Sequence, residues 1–244
     1  MNSIILAAGY GKRFKLKKFR KPKCLLKIYK KNLLYYLINN LLINKVEKIF
    51  IVIGYKKDLI VKYVKENFKT KKKIIFIENQ KFKKYGNSYS AFLAANNVFG
   101  STLLLNADII TPKNSIKKLI SNKKKNLFLT NSTTIFDDDD ITFAHNKRQK
   151  VKEIYVKEKR GQKYKNFVSA TGVAKFSKDS FKKFRKELKK LNMKKSPYWE
   201  IALKGLIKKN EFFVFPQKIK TLEIDTKSDY TKALKILKNK NEYL

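Results

Sequence analysis

The sequence predicts an α/β fold built on a central, largely parallel sheet flanked by helices, and three observations predict it. Short β-branched runs alternate with longer amphipathic ones through the first half of the chain, the pattern of strands joined by crossover helices. At 244 residues, 43% of them hydrophobic and 13% aromatic, the chain has enough apolar surface for a sizeable core and a length that suits one domain. No linker composition and no internal repeat interrupts it, so residues 1–244 are expected to form a single domain.

Ile4 to Ala7 reads as the first strand. Asn32 to Asn44 has a helical apolar repeat, and Lys48 to Gly54 is a second, buried strand. Asp58 to Phe68 follows as helix, Lys73 to Glu78 as strand, Ser88 to Val98 as helix and Thr102 to Leu105 as a fourth strand ending at Asp108. Pro112 is expected to open the next helix, since proline suits a first helical turn. Beyond Lys123 the rhythm turns to strands, at Asn126 to Thr133, Val151 to Val156 and Asn166 to Phe176. Helices return at Lys178 to Leu191 and Tyr198 to Lys208; the chain then runs through strands at Phe212 to Phe215 and Thr221 to Ile224 into a helix from Lys227 to Lys238.

A net charge of +40 would ordinarily point to nucleic acid or an anionic membrane. Here lysine supplies nearly all of it, with arginine only at positions 13, 20, 148, 160 and 185, in a chain also rich in Asn, Ile, Phe and Tyr. That is the codon bias of an AT-rich genome. The lysines spread over every segment, whereas a nucleic-acid reader carries a basic stripe with stacking aromatics. Cys24 is the single cysteine, which excludes an intrachain disulfide and suits a reducing compartment. The apolar run Met1 to Ala8 is too short for a signal-peptide core and no stretch has membrane-spanning length, so a cytoplasmic protein without a membrane partner is expected.

The informative segment is Leu6-Ala7-Ala8-Gly9-Tyr10-Gly11-Lys12-Arg13, with Pro22-Lys23 further on. A strand ending in small residues and two glycines lets backbone amides approach a triphosphate, and Arg13 and Lys23 add positive charge. The string lacks the Lys-Ser/Thr ending of the P-loop and the third glycine of the dinucleotide fingerprint. Asp108 follows the apolar run Leu103 to Ala107 and so stands at the carboxyl end of a sheet strand, where open α/β folds bind ligands.

These residues resemble the sugar-nucleotidyltransferase superfamily, whose signature is a glycine-rich turn, an arginine, and proline-lysine nine and ten residues later, the spacing of Arg13, Pro22 and Lys23. The methylerythritol-phosphate cytidylyltransferase branch has a shorter gap. Lys12 and Leu16 replace the usual threonine and proline. A second match, Asn79-Gln80-Lys81 followed by Tyr85-Gly86-Asn87-Ser88, resembles choline-phosphate cytidylyltransferases of the LicC type, with Gly86 replacing the first asparagine of a pair. The resemblance implies a Rossmann-like nucleotidyltransferase fold with a strand-rich acceptor insertion. It also implies CTP as donor, with Leu6, Ala7, Ala8, Gly9, Gly11, Asn79, Asn87 and Ser88 at the nucleotide and Arg13 and Lys23 as catalytic residues; a helix-capping role for Asn87 and Ser88 is the alternative.

Asp225, in Leu222-Glu223-Ile224-Asp225-Thr226, resembles a late Glu-Ile-Asp element of the family; it either caps the last helix or joins Asp108 in holding Mg2+, which takes one or two carboxylates plus phosphate oxygens. Pro197-Tyr198-Trp199-Glu200 resembles a Tyr-Trp-acid string of the choline-phosphate enzymes, implying that Tyr198, Trp199 and Glu200 bind phosphocholine through aromatic faces and a carboxylate; a core tryptophan is the alternative. Ser169 to Val173 resembles the small-residue strand lining that pocket. The run Asp137 to Asp140 reads as a solvated turn, and His145, the single histidine, has no part in the signature. A sugar 1-phosphate or aminophosphonate acceptor, and a non-catalytic basic nucleic-acid-binding protein, are the rival functions. The oligomeric state has no sequence signal.

Overall fold

A computed structural model describes residues 1–11, 14, 20–69, 73–132, 136, 140–160, 163–193, 197–238 and 243. The N-terminal half runs β1 (Asn2–Leu6), a 3-10 turn (Lys23–Leu25), a small hairpin of β2 (Lys27–Ile28) and β3 (Lys31–Asn32), α1 (Leu33–Ile43), β4 (Ile49–Ile53), α2 (Lys57–Asn67), β5 (Ile74–Glu78), α3 (Asn87–Asn97) and β6 (Thr102–Asn106). Then follow β7 (Ile109–Ile110), α4 (Ser115–Ser121), β8 (Leu127–Asn131), β9 (Ile141–His145), β10 (Val151–Val156), β11 (Phe167–Phe176), α5 (Lys178–Met193), α6 (Ile201–Leu206), β12 (Phe213–Gln217), β13 (Leu222–Glu223) and α7 (Lys227–Lys238).

One mixed sheet organises the molecule, its strands ordered β10-β9-β11-β6-β1-β4-β5, with β8 joining β11 to β12. β5, β4, β1 and β6 are mutually parallel, and β11 turns the sheet antiparallel against β6. The period-two geometry of a strand sends successive side chains to opposite faces. Ile4, Leu6 and Leu104 accordingly enter a core beneath α3, α5 and α6, while Ile5, Leu103 and Leu105 enter a second core beneath α1, α2 and α4. A third, smaller cluster seats α7 through Ala233 and Leu237 against Leu26, Ile28, Leu33, Ile110 and Ile224.

Most expected elements are present within a residue or two, and the two-residue strands β2, β3 and β7 come in addition. The helix after Pro112 begins only at Ser115, because Pro112 to Asn114 form a turn in which the Ser115 N–H donates to the Pro112 carbonyl (3.0 Å). β9 was not expected; it is held between β10 and β11, and pairing on both sides outweighs its weak apolar signal. The helix expected from Tyr198 starts at Ile201, leaving Pro197 to Glu200 as an irregular segment.

Candidate functional site

Register fixes where the site lies. Leu6 of β1 pairs with Asn106 of β6, so the glycine turn leaving one strand and the Ala107-Asp108 step leaving the other emerge side by side at the same sheet edge. Val173 of β11 pairs with Leu105, which brings the Ala170 to Gly172 stretch to that edge from the opposite direction. Gly172 has φ +73°, and a Cβ there would lie 2.5 Å from the Asn106 Nδ2; only glycine permits this approach of the two strands. The edge opens into a cleft of about 780 Å³, a size typical of small-ligand sites.

Asp108 and Asp225 meet there although the chain between them spans half the protein. The link is backbone: β7, which follows Asp108, pairs antiparallel with β13, and the Ile224 N–H donates to the Asp108 carbonyl (2.9 Å). Asp225 is therefore delivered to the end of β6 by a ladder. Capping falls to Thr226 and Asp229: the Thr226 N–H donates to Asp229 Oδ2 (2.7 Å) and the Asp229 N–H to Thr226 Oγ1 (3.2 Å), a reciprocal capping box. Lys23 Nζ sits between the two acids, 2.6 Å from Asp108 Oδ2 and 2.7 Å from Asp225 Oδ1. Burial pulls its ammonium pKa down, but the two aspartates outweigh that and the net shift is upward. Glu223 completes an acidic trio with Asp108 and Asp225, one ligand atom of each lying within 4.8 Å of the others. Its carboxyl, open to the cleft yet crowded by protein, is pushed up to about 8 by partial desolvation and by the neighbouring Asp108 and Asp225 charges. Strand alternation in Glu223-Ile224-Asp225 puts the two acids on one face, a signal the sequence carried and the motif reading passed over.

The glycine turn forms one wall. Leu6, Ala8, Gly9 and Gly11 line the cleft, and Ala7 lines an adjoining chamber of about 210 Å³ that it shares with Lys23 and Cys24. Burial and the nearby Asp108 push the Cys24 thiol up to about 12, so it packs as a small apolar group. Arg13 lies outside the described residues, as do Asp137, Asp138 and Asp139; Asp140 lines the cleft, and His145 does not.

Asn79 and Asn87 both line the cleft, with different freedom. Asn79 is spent inside the protein, its Nδ2 donating to Ser90 Oγ (2.9 Å) and its Oδ1 accepting from the Lys81 N–H (2.9 Å). Asn87 is the first residue of α3, with Gly86 at the capping position, and its Oδ1 accepts from the Trp199 N–H (3.0 Å). Two of the expected residues stand off the cleft wall. Ser88 is fully buried and Ser90 takes the place on the cleft wall, since the helical turn carries position 88 inward. Trp199 is 2% exposed and packs edge-on to Phe184 behind the wall; its indole N–H donates to Asn106 Oδ1 (3.2 Å), so it buttresses cleft residues without presenting a face to the cleft.

Tyr198 and Glu200 do line the far end. Lys157 lies over the Tyr198 ring at 5.3 Å. Glu200 is 2% exposed, and its Oε2 has no hydrogen-bond partner among the described residues. Burial pushes its carboxyl up to about 8. Asn106, Lys157 and Phe82 also line the cleft without having been expected there, as does Tyr85, which stood in the second motif match without a role of its own.

Residues 21–237 match the profile of a family described as Domain of unknown function (DUF6564). The choline-phosphate cytidylyltransferase of Streptococcus pneumoniae is 28% identical over 250 residues, covering 99% of this chain and 100% of that one. The bifunctional protein GlmU of Methanococcus maripaludis is 34% identical over 110 residues, covering 45% of this chain; the matched part is 25% of that protein, so the chain corresponds to about a quarter of its length. Among solved structures, that of the CTP:phosphocholine cytidylyltransferase LicC from Streptococcus pneumoniae shares the fold with a TM-score of 0.75 at 24% identity, over 97% of this chain and 98% of that one. The chain belongs to the DUF6564 family and, with its Rossmann-like fold, to the nucleotidyltransferase superfamily.

Proposed function

We propose that this protein transfers CMP from CTP to phosphocholine, giving CDP-choline and pyrophosphate. The observation that carries this reading is the pairing, in one cleft, of a glycine turn and acidic trio at one end with a buried, half-unpartnered Glu200 beside Tyr198 at the other. In this buried position the ionised form of Glu200 is costly unless a cation meets it. A quaternary ammonium supplies the missing positive charge without needing a hydrogen bond, and an aromatic ring suits it too. The full-length similarity to a choline-phosphate cytidylyltransferase supports the same choice.

In this mechanism the amides of the glycine turn bind triphosphate oxygens, while Lys23 and Arg13 carry positive charge toward them. Asn87, with its oxygen committed to Trp199, has its amide nitrogen left to donate to the nucleotide. Three converging carboxylates, an Asp108 Oδ1 without a partner among the described residues, and an ammonium already held between two of the acids all fit a divalent cation. Asp108 and Asp225, with Glu223 beside them, would hold Mg2+, which when bound neutralises and orients the α-phosphate. An oxygen of the acceptor phosphate forms a bond to the α-phosphorus as the bond to pyrophosphate breaks in line. That phosphate is already ionised, so no general base is required. Catalysis rests on positioning and electrostatics, in the cytoplasm.

Pyrophosphate release from a panel of triphosphates and phosphorylated acceptors tests the reading, and CTP with phosphocholine is the pair expected to react. A nucleotide-sugar product would keep the chemistry and discard the acceptor. Asp108→Ala is expected to lower turnover by about a thousandfold or more with little change in melting temperature. Near-normal activity in that variant would remove Asp108 from the mechanism.

A further inference from the structure

Lys23 occupies the place that the proposed ion would need. Its ammonium bonds one oxygen of Asp108 and one of Asp225 at 2.6 and 2.7 Å. Mg2+ bound through these same two oxygens would sit about 2.0–2.1 Å from them, so the ion and the ammonium compete for them. The Lys23 backbone is not free to retreat. It opens the 3-10 turn, the Leu26 N–H donates to its carbonyl (2.9 Å), and Cys24 and Leu25 beside it are buried. Only the side chain can move, and its course is set. The Lys23 Cβ lies 3.6 Å from where a Cβ on Gly11 would stand, so the stem runs against the glycine turn. The same ammonium therefore stands between two anionic partners: the aspartates, which are always present, and the phosphates of a nucleotide bound at the turn.

We propose that Lys23 is a resident counter-ion that keeps divalent metal out of the acidic trio until a triphosphate arrives, so that metal and nucleotide enter together. The inference rests on the reading of Asp108 and Asp225 as metal ligands. Without nucleotide, a metal ion must displace a cation that has nowhere comparable to go. With nucleotide, the phosphates take over the ammonium and the aspartates are released to the ion that the triphosphate brings. Lys23 thus has a positioning role in metal entry besides the charge it carries toward the phosphates.

The test is Mn2+ binding to the nucleotide-free full chain, followed through the electron paramagnetic resonance of free Mn2+, for wild type, Lys23→Met and Lys23→Gln. Either variant is expected to bind one Mn2+ at least about tenfold more tightly than wild type. Adding Asp108→Asn to the variant should abolish the gain. Mn2+ should also raise the melting temperature of the Lys23 variants and leave that of wild type unchanged. Equal affinities in wild type and variants would overturn the gate while leaving the metal site standing. Binding by none of the three would overturn the metal-site reading and the gate with it. Tight Mn2+ binding by nucleotide-free wild type overturns the proposal whatever the variants do.

Discussion

Glu200 shows how much one side chain can decide. Its carboxyl is pushed up to about 8 by burial, so at neutral pH the empty protein holds it largely protonated. A cationic acceptor favours the ionised form and expels that proton. Acceptor affinity should therefore rise as pH increases from about 6.5 to about 8.5 and then level off, with proton release seen by calorimetry in buffers of different ionisation enthalpy. Glu200→Gln should flatten the profile; a flat wild-type profile would take Glu200 out of acceptor binding. The linkage for stability has the opposite direction. A carboxyl whose folded pKa is raised contributes stability that is complete below its unfolded value and is lost as pH climbs toward about 8, so Glu200→Gln should melt higher than wild type at pH 8.5 and about the same at pH 5. The residue types and order of Tyr198-Trp199-Glu200 were legible in the sequence, but which side chain faces the cleft was not. Periodicity could not orient them, because the segment precedes α6 and has no helical phase of its own.

The elements beside the glycine turn were the most readable, because β4 and β6 are short runs of branched apolar residues buried from end to end or nearly so. β9 was the least readable, since its own apolar signal is weak and the adjacent acids suggested a turn. One junction between elements matters more than its appearance. A Cβ on Gly86, the residue before α3, would fall on the backbone of Pro197, and that contact seats the segment carrying Tyr198 and Glu200. Gly86→Ala should cost about 1–3 kcal/mol in denaturant unfolding, the usual price of overpacking. It should also raise KM for the acceptor more than KM for the triphosphate. A stability loss with both KM values unchanged would show that the contact does not position the acceptor segment.

The whole molecule carries +40 on 244 residues, and among its described residues no helix is long and apolar enough to cross a membrane. Self-repulsion on this scale works against compactness and is screened over a Debye length of about 10 Å at 0.1 M salt. The melting temperature should therefore rise by several degrees as sodium chloride goes from about 0.02 to about 0.2 M; no rise would mean that the lysines are too dispersed to strain the fold. Long-range assembly was legible only in part. Asp108 and Asp225 stood out as a pair, but the ladder that joins them could not be read from two-residue strands as short as β7 and β13. That ladder has a consequence for the timing of synthesis. A nascent chain that had emerged only as far as α6 would already own β1, the glycine turn and Asp108, yet its acidic trio would lack two members. The catalyst would come into being late and all at once, when the ribosome releases the stretch that zips onto Ile109 and Ile110.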